Sequence, residues 1–212
     1  MNCKITIKKL TYTLLFISLC LFGCNKDTTT HVSSRNPGID EIETNNNLSP
    51  NDIVYTFDDG TNITIENLLA PATLYNNICM TGQSENISSV YPESVLDFVV
   101  KSYSSTDVDS YVEQLYTLYS NIYNKEFTME NSFVSCQLLN DKQINDFMDF
   151  YANSIGASIS PEYAFIVESV YTISYKDKDG DEYSDSATDY YIAYFIDGQS
   201  YLDYYYIDTL DL

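Results

Sequence analysis

The chain has no tryptophan and a single histidine, His31, among its 212 residues. Basic residues are also scarce: 10 lysines and arginines stand against 31 aspartates and glutamates, a net charge of −21. A surface this negative repels phosphate backbones, which excludes nucleic acid as a partner. It also disfavours direct contact with anionic lipid headgroups. The shortage of histidine removes the commonest acid–base group from nearly the whole sequence. His31 itself lies in a stretch with no helical or strand periodicity and reads as incidental. No apolar run is long enough to span a bilayer; the longest, residues 10–22, is about 13 residues where about 20 are needed. No residue pattern points to a cofactor.

That short apolar run is the first feature the chain does have. Lys4, Lys8 and Lys9 precede it with no acidic residue among them, and Asn25-Lys26-Asp27-Thr28 follows it abruptly. A positive start, an apolar middle and a small-residue end make residues 1–23 a secretory signal. Leu21-Phe22-Gly23-Cys24 then resembles the lipobox of bacterial lipoproteins, with Leu three before and Gly one before the cysteine. The resemblance implies a diacylglyceryl thioether on Cys24, cleavage just before it, and retention at the extracytoplasmic face of a cell membrane. Two acyl chains suffice for stable anchoring. The alternative is an ordinary signal peptide cut elsewhere. Cys20 follows the bulky Leu19 and Cys3 lies outside the apolar run, so both are expected to leave with the signal.

Three of the ten basic residues fall in the leader. The remainder, Cys24 to Leu212, therefore sets seven basic against 31 acidic residues, net −24. Residues 24–51, rich in Asn, Thr and Ser, read as a flexible lipid-anchored tether with a reach of about 30 Å. Residues 52–212 are long enough for one ordinary domain with a real core. With 21 tyrosines and 15% aromatics, the chain is too aromatic for a disordered one.

Within this domain, Val54–Phe57 and Asn62–Ile65 flank Asp58-Asp59-Gly60 and predict a β-hairpin. Glu66–Leu69 predicts no more than a helical turn before Pro71, and 81–92 reads as loop. A helix is expected over 94–104. A second runs from a Thr106 capping box to about Tyr123, with Val108, Tyr111, Val112, Leu115, Leu118, Tyr119 and Ile122 as its apolar stripe. Residues 127–139 read as one strand, or two broken at Glu130-Asn131. Asn140 caps a third helix to Ile155, stopped by Gly156. Alternating patterns over 165–175, 183–196 and 201–207, joined by Asp179-Gly180 and Asp197-Gly198, predict a β-meander.

The order from residue 94 onward resembles the NTF2-like fold, an α+β cone in which helices pack on a curved antiparallel sheet. Residues 98–111 resemble its first two helices and 165–207 its last three strands, with Tyr201 after the final turn where Trp is usual. The core so implied covers about 94–208, and the hairpin at 53–65 is extra to it. The resemblance implies that any chemistry sits in the cone's pocket.

Pocket candidates are Asp189, Tyr191, Tyr201, Asp203 and Tyr205. Asp203 is expected to share a strand face with Tyr201 and Tyr205, at a rim open to water. Asp177-Lys178-Asp179-Gly180-Asp181 fails as an EF-hand, because Tyr175 and Ser186 stand where the first and last acidic ligands belong; loose Ca²⁺ binding at this tip is a minor alternative to a solvated turn. Cys79 and Cys136 are a candidate disulfide, permitted by export, or else two free thiols. The expected function is a non-enzymatic binding or interaction module that takes a small ligand, a peptide or an envelope protein. The alternatives are an enzyme using an Asp/Tyr pocket and a protein that adds a strand at a sheet edge.

Overall fold

The computed structural model describes residues 48–124 and 126–210. The signal, the Leu21–Cys24 stretch, His31 and the tether up to residue 47 lie outside the described residues. The described part is α+β, with four α-helices, a two-stranded hairpin and a four-stranded antiparallel sheet.

Strands β1 (Ile53–Thr56) and β2 (Asn62–Thr64) form the expected hairpin. Gly60 takes φ 88° in its turn, and the Asp59 carboxylate accepts the Thr61 N–H at 2.8 Å. Strand β2 stops at Thr64 because that residue caps a helix. Its hydroxyl accepts the Asn67 N–H at 3.3 Å, and the Asn67 side chain accepts the Thr64 N–H at 3.0 Å. This reciprocal box starts α1 (Ile65–Thr81), a full helix where only one turn was expected. Pro71 sits inside α1 and has no N–H to give the Asn67 carbonyl, a cost of about 3 kcal/mol in a helix interior. Burial offsets it: Ile65, Leu68, Ala72 and Cys79 follow helical spacing and are all buried, as is Pro71 itself. The helix ends at Gly82 with φ 68°, where an added Cβ would lie 3.2 Å from the Tyr116 ring.

A short 3₁₀ turn (Ile87–Ser89) leads to α2 (Glu93–Ser102) and α3 (Val108–Tyr123). Asp107 rather than Thr106 caps α3, accepting the Ser110 N–H at 2.8 Å. Strand β3 (Phe127–Leu138) is continuous through Glu130-Asn131; its irregularity falls between Phe133 and Ser135. Asn140 caps α4 (Asp141–Phe150) with a second reciprocal box. That helix runs into a π turn (Tyr151–Ile155), which Gly156 ends at φ 77°.

Strands β4 (Tyr163–Lys176), β5 (Glu182–Ile196) and β6 (Gln199–Asp203) make the meander, and the sheet order is β3-β4-β5-β6. Register pairs Ser169 with Asp189, Val167 with Tyr191, and Asn131 with Tyr171, so these residues share one face. Helices α1 and α3 cover that face: the Tyr191 hydroxyl donates to the Leu68 carbonyl at 3.2 Å, and Tyr119 stacks on Phe127. On the other face, α4 covers only one end, where Phe147 meets Tyr194 at 5.3 Å. The edges are partly closed. Leu202 of β6 donates its N–H to Val90 at 2.9 Å, and Met129 of β3 donates its N–H to the Met80 sulfur at 3.2 Å.

Candidate functional site

Asp203 is fully buried, not at a rim. One oxygen accepts the Tyr151 hydroxyl at 2.7 Å and the Tyr205 N–H at 3.1 Å; the other accepts the N–H groups of Tyr206 at 2.9 Å and Ile207 at 3.3 Å. The carboxylate thus turns the backbone into a 3₁₀ turn (Ile207–Thr209), and β6 ends here rather than at residue 207. Tyr205 therefore leaves the strand face expected for it, and its ring meets Phe98 of α2 at 5.2 Å. Burial pushes the Asp203 carboxyl up from the ordinary 3.8 to about 6, against the opposing pull of its four donors.

Asp189 belongs to a polar seam that crosses the sheet beneath α1. Asn76 of α1 donates to the Asn131 side chain at 2.5 Å, and Asn131 donates to the Ser169 hydroxyl at 3.0 Å. Ser169 is fully buried and pairs in register with Asp189. The Tyr204 hydroxyl donates to Asp189 at 2.9 Å, and the Tyr204 ring packs on Tyr191 and Tyr75. Burial raises this carboxyl too, to about 6, and the Tyr204 bond restrains the rise.

The five pocket candidates do not converge. Asp203 pairs in register with Ile192, and Asp189 lies an odd number of residues from Ile192 along β5, so the two acids occupy opposite faces. Tyr191 lies on the Asp189 face as a strut to α1, and Tyr201 lies on the Asp203 face beside Tyr194. A carboxyl near pH 6 suits general acid–base work in principle. Asp203, however, has both oxygens committed and no exposure. Asp189 is half-buried and keeps one oxygen outside the Tyr204 bond, which makes it the better placed of the two. Partners absent from the candidate set were Tyr151, Tyr204, Asn76, Asn131 and Ser169. Two of them carry a sequence signal: Asn76 stands in the apolar stripe between Ala72 and Cys79, and Asn131 stands at an inward position between Met129 and Phe133.

A different site lies where the hairpin tip meets the start of β4. Phe57, Asp59, Thr61, Glu162 and Tyr163 line an open groove of about 470 Å³. The Phe57 and Tyr163 rings, 4.5 Å apart, form its apolar wall, and Tyr163 continues onto Phe195 at 4.7 Å. Desolvation raises the Tyr163 hydroxyl, and the charges of Glu162 and Asp59 add to it, so both acids bear on the same wall.

Cys79 and Cys136 stand as free thiols, the second of the two readings open for them. Cys79 is hydrogen-bonded to Tyr75, and its charge bears on the hydroxyls of Tyr103, Tyr119 and Tyr171, whereas Cys136 pairs in register with Val167, four residues away from Tyr171 along β4. Burial pushes Cys79 up to about 12 and Cys136 to about 11, so neither is a ready nucleophile. At the β4–β5 tip, Asp177 accepts the N–H groups of Asp179 and Asp181 and closes the turn on itself. Among the described residues no cluster of three or more potential metal ligands occurs, and no helix is long and apolar enough to cross a membrane. No known family model, curated protein or solved structure matches the chain.

Proposed function

We propose that the chain is a bacterial surface lipoprotein, anchored through lipid on Cys24, whose folded part is a non-enzymatic binding module. One observation carries the non-enzymatic half: Asp203, the most buried acid, gives both oxygens to groups that shape the fold. Each candidate tyrosine likewise serves packing or a strut. The anchoring half rests on the leader and on Leu21-Phe22-Gly23-Cys24. With a net charge of −24 beyond the leader, the lipid holds at a membrane a domain that headgroups would repel.

We read the domain as NTF2-like in type. Support comes from the order α2-α3-β3-α4-β4-β5-β6, which is the order the resemblance requires, and from α3 packed on one face of the antiparallel sheet. The hairpin and α1 precede that pattern as additions. The enzymatic alternative rests on Asp189, the half-buried carboxyl that pairs in register with Ser169 and accepts from Tyr204. Strand addition is the weaker alternative, because Val90 and Met80 already take N–H groups from the outer strands.

The test of anchoring is Cys24→Ser in the native host, followed by fractionation and mass determination. Release into the medium, or accumulation with the leader intact, is expected. Normal processing and continued membrane association of the variant would overturn the proposal.

A further inference from the structure

The hairpin that lies outside the NTF2-like pattern builds a surface of its own. Ile53 and Tyr55 on β1 are among the few large apolar side chains left exposed, at 56% and 37%. The Tyr55 ring touches Phe57 at 4.7 Å, and Phe57 touches Tyr163 at 4.5 Å. An exposed apolar strip therefore runs along β1 into the groove, which ends in two carboxylates. Asp59 is held in place, its oxygen accepting the Thr61 N–H, and this bond keeps its carboxyl below the ordinary value and charged. Glu162, which also lines the groove, is exposed, and its own N–H is anchored to the Phe195 carbonyl at 2.8 Å.

An aromatic wall beside fixed negative charge suits an ammonium or guanidinium group, which the ring faces attract and the carboxylates pair. The groove is open, so a free small cation would stay wet on one side and gain little. A lysine or arginine side chain borne on a peptide would gain more, because its neighbours cover Ile53 and Tyr55. The strongly acidic chain also draws basic partners by long-range steering. We infer that this groove and strip dock a basic peptide segment of a partner protein, with one lysine or arginine side chain seated against Phe57 and Tyr163 between Asp59 and Glu162. The inference rests on the domain being a binding module. It does not depend on the lipid, so failure of the Cys24 test and failure of this one are separable.

The chain has no tryptophan, so Phe57→Trp places a single reporter in the groove and keeps its aromatic wall. Full-length Phe57→Trp protein in detergent is titrated with a ten-residue oligolysine at low salt. A saturable emission change is expected. Adding Asp59→Asn and Glu162→Gln should weaken it about tenfold. The charge-matched pair Asp177→Asn and Asp179→Asn, about 40 Å away along β4, should weaken it less than about twofold, since exposed charges beyond the Debye length are largely screened. Asn keeps the oxygen that Thr61 uses, and circular dichroism confirms that each variant is folded. No saturable change, or equal loss in both charge-matched variants, would overturn the proposal. So would free lysine binding as tightly as the peptide, because the β1 strip would then be idle. Sedimentation of the unliganded protein decides the last case: a dimer that the groove substitutions dissolve would assign the strip to a second copy and overturn the peptide partner.

Discussion

Asp203 and Asp59 are both aspartates that accept backbone N–H groups near a turn, and they differ in everything else. Asp203 is enclosed by Tyr151 and the chain that follows it, and its carboxyl is raised to about 6. Asp59 is fully exposed, is held below the ordinary value by Thr61, and borders an aromatic wall. The first acid builds the fold; the second is free to meet a partner. In a chain with 31 acidic residues, burial and committed oxygens separate the two roles where residue type does not.

The contrast breaks most easily at Asp203. Asp203→Ala leaves the Tyr151 hydroxyl and three backbone N–H groups without their acceptor inside the core. We expect a loss of about 3–5 kcal/mol, the usual cost of breaking a buried charged network, measured by urea unfolding. A loss below about 1 kcal/mol, the size of one ordinary hydrogen bond, would mean that water or another group replaces the carboxylate easily.

The next largest effect is in pH. A carboxyl raised from 3.8 to about 6 means that the folded chain holds its proton after the unfolded chain has lost it. Between those values the folded state binds more protons, so unfolding free energy falls as pH rises. The stabilisation is complete below about pH 4 and lost by the time pH has passed 6. Each of Asp203 and Asp189 contributes about 3 kcal/mol to this fall, from 1.36 kcal/mol per unit. Growing repulsion among the other acids acts in the same direction. Asp203→Asn separates the two, because it removes one buried titration and leaves the surface nearly unchanged. Denaturant midpoints across pH 4–8 should slope less steeply in this variant than in the parent.

At the exposed site the expectation is nearly nothing. Asp59→Asn and Glu162→Gln should each leave the unfolding midpoint nearly where it is in the parent, as surface substitutions usually do. A larger loss in thermal or urea unfolding would make the groove part of the fold's support and erase the contrast.

Much of the fold was legible because its signals are local. Asp-Gly turns, alternating strands and the stripe of α3 each follow from a few neighbouring residues. Helix α1 was not, because Pro71 carries a local stop signal that tertiary burial overrides. Thr64 and Asn67 did hold a start signal, with Asn in the place usually taken by Glu. The end of β6 was hidden for a different reason. Tyr201 to Ile207 reads as a strand throughout, and only the capture of three N–H groups by Asp203 bends it. The split of Asp189 and Asp203 onto opposite faces follows from register, which no single strand discloses. The groove depends on Phe57 meeting Tyr163, more than a hundred residues apart in sequence, and no periodicity points to such a pair.

One measurement addresses the contrast most directly: a ¹³C carboxyl titration by NMR with aspartate assignments. We expect midpoints of about 6 for Asp203 and Asp189 and a midpoint below 3.8 for Asp59 in the same spectra. If all three titrate together near the ordinary value, the buried and exposed acids are not distinct, and the division between a carboxylate enclosed by the fold and one open to solvent is wrong.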